Sequence, residues 1–185
     1  MSQNKIRDIT LINKESFISI QNLDLSNNKI TDINIFSTYK MNNLKSLNLS
    51  YNEIIDIKTF SNEDSSDFNK LENLNLSNNK KMKLNKINIK TLKYIDLRNN
   101  QLSEGINDFI NNNCYNINKL IIENCDNKLI FDYSDKCQIK FEYSVKNENI
   151  NNILKAISFK GFKSLLLHNF SNIEFLNNES LKELI

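Results

Sequence analysis

The sequence predicts an α/β solenoid, in which short parallel strands stack side by side and each is followed by a segment that returns to start the next. Three observations lead there. The stretch LDLSNNKI at Leu23 comes back as LNLSYNEI at Leu47, LNLSNNKK at Leu74 and IDLRNNQL at Ile95. Within each copy two apolar residues alternate with polar ones, which in a strand turns both to one face. An Asn follows at a fixed distance, at Asn28, Asn52, Asn79 and Asn100.

Extending the pattern to L-x-x-L-x-L-x-x-N-x-L places the first four units at Ile20, Leu44, Leu71 and Leu92, with only Lys81 breaking it at the last position. A fifth unit, Ile117/Leu120/Ile122, puts Cys125 where the amide stood. Ile139 and Phe141 look like the strand of a degenerate unit beginning at Lys136, and Phe162/Leu165/Leu167/Phe170 makes a weaker one. Successive starts are 24, 27, 21, 25, 19 and 26 residues apart, a period typical of stacked repeats.

A single strand of this kind cannot bury its leucines. Parallel stacking closes the backbone ladder and joins the apolar faces into one interior, so stability arises mainly between neighbours. Two return segments read as helices. Ser103 caps one presenting Ile106, Phe109 and Ile110, and Asn149 caps one presenting Ile150, Ile153, Leu154 and Ile157 before Gly161. Helices are wider than strands, so the stack is expected to curve with the strands on its concave side.

The recurring amide has a structural reading. Where the chain turns inward after each strand, backbone N–H and C=O groups leave water and need partners. Asn offers two donors and an acceptor on a short side chain, enough to bond its own turn and the next one. Cys125 suits the same slot as a compact, weak donor.

These motifs resemble the leucine-rich repeat family, over roughly residues 17–185. An apolar residue five places after the amide, at Ile33, Ile57 and Leu84, makes the early units similar to the short intracellular class found in the type-1 protein phosphatase regulator. Later units resemble the ribonuclease-inhibitor-like class, in which a helix follows each strand. The resemblance implies a leucine-rich repeat solenoid: a curved right-handed stack, parallel β-strands on the concave face, helices and irregular segments on the convex face. It also implies a protein-binding scaffold, with a regulatory-subunit role suggested by the phosphatase regulator. The rival is a substrate-recognition part of a larger enzyme such as a ubiquitin ligase or kinase.

Composition narrows the alternatives. The 185 residues suit one domain. A formal charge of +2 favours neither nucleic acid nor an anionic membrane as partner. No apolar run approaches the roughly 20 residues that span a bilayer, and the start lacks the apolar core of a signal peptide. A cytoplasmic protein, or a nuclear one, is the expectation, and an extracellular receptor domain is the weaker alternative. Cys114, Cys125 and Cys137 are odd in number, at spacings that fit neither a disulfide framework nor a zinc knuckle, and read as reduced thiols. With two Gly, no Pro and no Trp beside abundant Asn, Lys and Ile, the usage points to an AT-rich genome, which makes most single Asn residues uninformative.

Candidate chemistry is sparse, and no catalytic, cofactor or metal site is expected. His168 is the only histidine, with no convincing ligand cluster around it. Gly105 and Gly161 are isolated, whereas phosphate-binding loops need clustered glycines. In the basic run Lys80–Lys90, Leu84, Ile87 and Ile89 read as core and the lysines as their solvated edge. Ser61–Lys70 reads as an exposed acidic loop, with Ser65 and Ser66 as candidate phosphorylation sites.

A partner surface is easier to place. Side chains between and just after the strand leucines form columns: Asn22, Ser46, Asn73, Tyr94 and Lys119; Asp24, Asn48, Asn75, Asp96 and Ile121; Ser26, Ser50, Ser77, Arg98 and Glu123, with His168 further on. Early entries are generic to the repeat. Tyr94, Asp96, Arg98, Lys119, Ile121 and Glu123, with Tyr51 beside them, are distinctive and are the expected partner-binding residues; Tyr and Arg often dominate interfaces, and an exposed Ile121 would be unusual. Arg98→Glu is accordingly expected to weaken a partner and leave the melt unchanged. At the ends, Ile6, Ile9 and Leu11 before Phe17 suggest a cap within a 1–19 flank. The repeat domain, 20–185, closes on Leu181/Leu184/Ile185, which reads as the opening of another strand in an open or truncated stack.

Overall fold

In the computed structural model, residues 4–39, 41–61, 68–80, 82–84, 87–100, 102, 105–113, 116–123, 140–144 and 164–168 are described. Seven strands form one sheet in chain order: β1 (Asn22–Asp24), β2 (Ser46–Asn48), β3 (Asn73–Asn75), β4 (Tyr94–Asp96), β5 (Lys119–Glu123), β6 (Lys140–Ser144) and β7 (Ser164–His168). Every neighbouring pair is parallel. Register follows the leucine spacing. Leu23, Leu47, Leu74, Ile95 and Leu120 stand opposite one another in turn, and Phe141 and Leu165 continue the row through β6 and β7. The last unit keeps the register read from sequence, whereas the degenerate one before it is shifted by two residues: Phe141, read as its second strand position, takes the first, opposite Leu120, and Tyr143 takes the second, opposite Ile122.

The strands are short because the ladder hands over to a turn after the second leucine. Leu25, Leu49, Leu76 and Leu97 still donate N–H to the following strand, to the carbonyls of Asn48, Asn75, Asp96 and Ile121 at 2.8–2.9 Å. Beyond them Asn27, Tyr51, Asn78 and Asn99 take positive φ, from 54° to 61°, which swings the chain under the sheet. The amide that follows is buried each time. Asn52 donates from Nδ2 to the carbonyls of its own turn, Leu49 (3.1 Å) and Ser50 (3.3 Å), and to Leu25 of the preceding turn (2.9 Å). Its Oδ1 accepts the N–H of Ile30, 3.0 Å away. Asn79 repeats this with Leu76, Ser77, Leu49 and the N–H of Ile54. Asn100 bonds Leu97, Arg98 and Leu76, and accepts from the N–H of Asn79. The neighbour engaged is therefore the preceding turn, opposite to the direction read from sequence. The side chain leans back along the stack to reach carbonyls that the preceding strand has already left open. Cys125 lies outside the described residues.

Return segments supply the other half of the core. After β1, Ile30, Ile33, Phe36, Met41 and Leu44 are buried; after β2, Ile54, Ile57, Phe60, Phe68 and Leu71 take the same places. Short helical turns carry them: α2 (Ile35–Thr38) and a 3₁₀ turn (Lys58–Phe60). The rings pack edge to face, Phe60 on Phe68 at 5.2 Å and Phe17 on Phe36 at 6.1 Å between centroids. Leu84, Ile87 and Ile89 are buried within the basic run, as core positions should be. After β4 the return segment is the helix α3 (Ile106–Asn113), which buries Ile106 and Phe109. Its proposed cap Ser103, and the second helix after Asn149, fall outside the described residues.

The N-terminal flank differs from the expected cap. Ile9 and Phe17 are buried and Ile6 packs against the core, but Leu11 is 88% exposed. A short helix, α1 (Lys14–Ile18), follows, with the Asn13 side chain accepting from the N–H of Glu15 at 3.0 Å. The flank repeats a return segment. Ile6 gives its N–H to Oδ1 of Asn28 (3.1 Å), as Ile30 does to Asn52. Asp8, Asp32 and Asp56 each accept the N–H two residues on, at 2.7–2.8 Å. The signal I-x-D-I stood in the sequence at Ile6, Ile30 and Ile54. Leu11 holds the place of Ile35, which packs partly buried on the core, and of Thr59, which is buried, so its exposure is particular to the flank.

Two outcomes are expected. Asn52→Ala leaves a buried N–H and several carbonyls short of partners, and should cost about 1–3 kcal/mol in urea melts, against less than about 0.5 kcal/mol for Asn42→Ala on an exposed turn. Gly105 has φ +85°, and an added Cβ would run into the carbonyl oxygen of Leu84. Gly105→Ala should therefore destabilise by about 1–3 kcal/mol, read as a lower denaturation midpoint at unchanged m.

Candidate binding surface

The side chains between the strand leucines divide into two groups by what they bond. In the middle column, each Asp or Asn turns its Oδ1 back to the backbone two residues on. Ser26 donates its N–H to Asp24 (2.8 Å), Ser50 to Asn48 (3.1 Å), Ser77 to Asn75 (3.0 Å) and Arg98 to Asp96 (3.1 Å). These side chains fix the exit from each strand, a local alternative to the sheet ladder that Asp and Asn favour. Ser26, Ser50 and Ser77 are in turn buried. Burial acts to raise the Asp24 carboxyl, but hydrogen bonds from Ser26 and Asn48 outweigh it and hold the group below the ordinary carboxylate range.

Asp96 departs from its column by being 1% exposed. Arg98 covers it: Nη2 donates to Oδ2 at 2.6 Å and Nε to both carboxylate oxygens, at 3.0 and 3.2 Å. The fork-to-carboxylate fit suits a guanidinium and would not be matched by Lys. Residues two apart on a strand share a face, so the Asp-x-Arg spacing was the available signal for this pair. Asp96 is thus a carboxylate already engaged within the sheet, and Arg98 is partly spent on holding it. Ile121, expected to be exposed, is 4% exposed. In register it stands between Asp96 of β4 and Glu142 of β6.

Tyr94 and Lys119, opposite one another in register, are half-buried, with the Lys119 Nζ 6.0 Å from the ring centroid of Tyr94. That distance is at the outer limit of a cation–π contact. One row away, Lys93 meets Glu72 at 2.7 Å and holds its carboxyl below the ordinary range. Tyr51 is 56% exposed at the end of β2. Glu123 and His168 end β5 and β7 and are placed here by backbone register alone, His168 opposite Ser144. The structure therefore brings Tyr94, Arg98 and Lys119 onto adjacent rungs of one face, with Tyr51 two rungs away, and withdraws Asp96 and Ile121 from it.

Among the described residues no group of three or more His, Cys, Asp or Glu could hold a metal ion. No described helix is long and apolar enough to cross a membrane. Residues 62–67, with the candidate phosphorylation sites Ser65 and Ser66, and all three cysteines lie outside the described residues.

Comparison with known families adds a second line of support. Residues 18–80 match a family model described as Leucine rich repeat, and residues 91–113 match another described as Leucine Rich Repeat. The matched segments contain β1 to β4, the return segments after β1 and β2, and α3, and they support a leucine-rich repeat family for this chain. No curated protein matches the chain.

The Asp96–Arg98 pair changes what a charge reversal would do. Arg98→Glu sets a second carboxylate against a buried one, so a loss of about 1–3 kcal/mol is expected, larger than for Arg98→Gln. Equal melts for wild type and Arg98→Glu would contradict the pair.

Proposed function

We propose that the chain, a parallel stack whose units match leucine-rich repeats, is a non-enzymatic scaffold that binds a protein partner across the strand-bearing face. The observation that supports this most directly is the contrast along that face. On β1 to β3 its side chains are small and polar and satisfy their own turns, whereas β4 and β5 carry Tyr94, Arg98 and Lys119 in register. Aromatic and cationic side chains on a rigid sheet lose little freedom on contact, and such residues dominate interface energetics. In this reading the stack is curved and right-handed with the face concave, and the partner lies against the third to fifth units. A regulatory-subunit role is the corresponding physiological assignment.

Photo-crosslinking separates this face from the rest. A crosslinkable residue at Asn73, on the exposed side of β3, should trap one defined protein in cells of the source organism, and one at Lys58 in the return segment should not. Lys119→Glu should lower the Asn73 product by about tenfold at unchanged protein level. Equal trapping from both positions, or trapping from Lys58 alone, would overturn the assignment of the face.

A further inference from the structure

Tyr51 occupies a backbone position that the other units give to Asn. Its φ is +54°, beside +55° at Asn27, +61° at Asn78 and +55° at Asn99. Asn tolerates the left-handed region because its short side chain bonds locally, whereas a bulky residue there is an outlier. The ring does not repay this by burial, since it is 56% exposed and contributes nothing to the apolar interior. A large side chain in an unfavourable backbone state, with its apolar surface in water, needs a reason outside the folded chain.

The surroundings define what could cover it. The column it interrupts is uncharged, with Asn27 on one side and Asn78 on the other, and Asn99 donating to Asn78 at 3.0 Å. The next positions outward, Lys29, Glu53 and Lys80, are exposed and alternate in sign, so they favour neither an acidic nor a basic ligand. The amides of Asn27 and Asn78 stand two rungs apart, about 9.6 Å, close to the length of three extended residues, and present donors and acceptors of the kind a peptide backbone completes. Resting on the protein-binding reading above, we propose that Tyr51 anchors a further stretch of the partner across the first to third units, beside the contact at the third to fifth. It receives an apolar or planar side chain from an extended, uncharged peptide segment, whose backbone bonds the amides of Asn27 and Asn78.

The test uses random linear peptides displayed against the intact chain. Selected peptides should carry an apolar or planar residue in an uncharged context. Tyr51→Asn should weaken them at least about tenfold, Tyr51→Phe by less than about threefold, and Tyr51→Asn should melt at or above the wild-type temperature. A lower melting temperature for Tyr51→Asn would show that the ring serves the fold and overturn the proposal. So would selection of charged peptides, recovery of none, or binding that ignores Tyr51→Asn. Peptides that ignore Tyr51→Asn but lose affinity on Lys119→Glu would leave the binding face standing without this anchor; indifference to both would remove the face as well.

Discussion

Each time the chain leaves the sheet it takes backbone carbonyls and N–H groups into an interior that offers them no water, and one amide side chain per unit satisfies them. Asn52 and Asn79 each serve two turns at once. Without that service the leucines could not close over the turn, because an unpaired buried peptide group costs about as much as a well-placed leucine contributes. The burial of Leu25, Leu49 and Leu76 therefore depends on the residue three places after each of them. Hydrophobic burial supplies the driving force, and the amide makes it compatible with a bending backbone.

Because each Asn reaches back to the turn before it, stacking and local turn formation are not separate events. A unit standing alone would keep the bonds to its own carbonyls and lose the ones to its neighbour. This is the hydrogen-bond counterpart of the shared apolar interior, and both make the interface between units the place where stability resides. The N-terminal flank enters the same scheme, with Ile6 taking the part that Ile30 and Ile54 take later.

Much of this was legible in the sequence. Period-two alternation identified the buried leucines, and the spacing of starts matched the register at Leu165 but missed it by two residues at Phe141, because alternation alone allows a slip of two that keeps the same face inward. The direction of the amide bonds was not legible, since sequence shows which residue carries donors and acceptors but not which way a side chain leans. In the flank, Ile6, Ile9 and Phe17 meet the core as their type suggested, whereas Leu11 looked like core by type alone and is exposed. On the surface the limits were of another kind. Columns were read as outward-facing by periodicity, but Asp96 and Ile121 show that exposure also depends on what lies across the rung. Asp96 is covered by a guanidinium two residues on, and Ile121 is buried at a position where the earlier rungs keep Asp24, Asn48 and Asn75 at least partly exposed. Backbone conformation was the least accessible. Tyr51 could be noticed as an aromatic, but its left-handed φ came only with the turn itself.

The carboxylate or amide that closes each strand exit uses a single oxygen, and that oxygen is the same in Asp and Asn. The four rungs show both, with Asn48 and Asn75 between Asp24 and Asp96 in one geometry. On the first three rungs the turn itself does not require a charge, since Asn48 and Asn75 close theirs without one; Asp96, buried and paired with Arg98, does depend on its charge. A change between acid and amide on the rungs of β1 to β3 rewrites the electric field over the face while the turn beneath keeps its bond. Such a stack can acquire or lose attraction for a charged partner one rung at a time, while the chain that presents it folds as before.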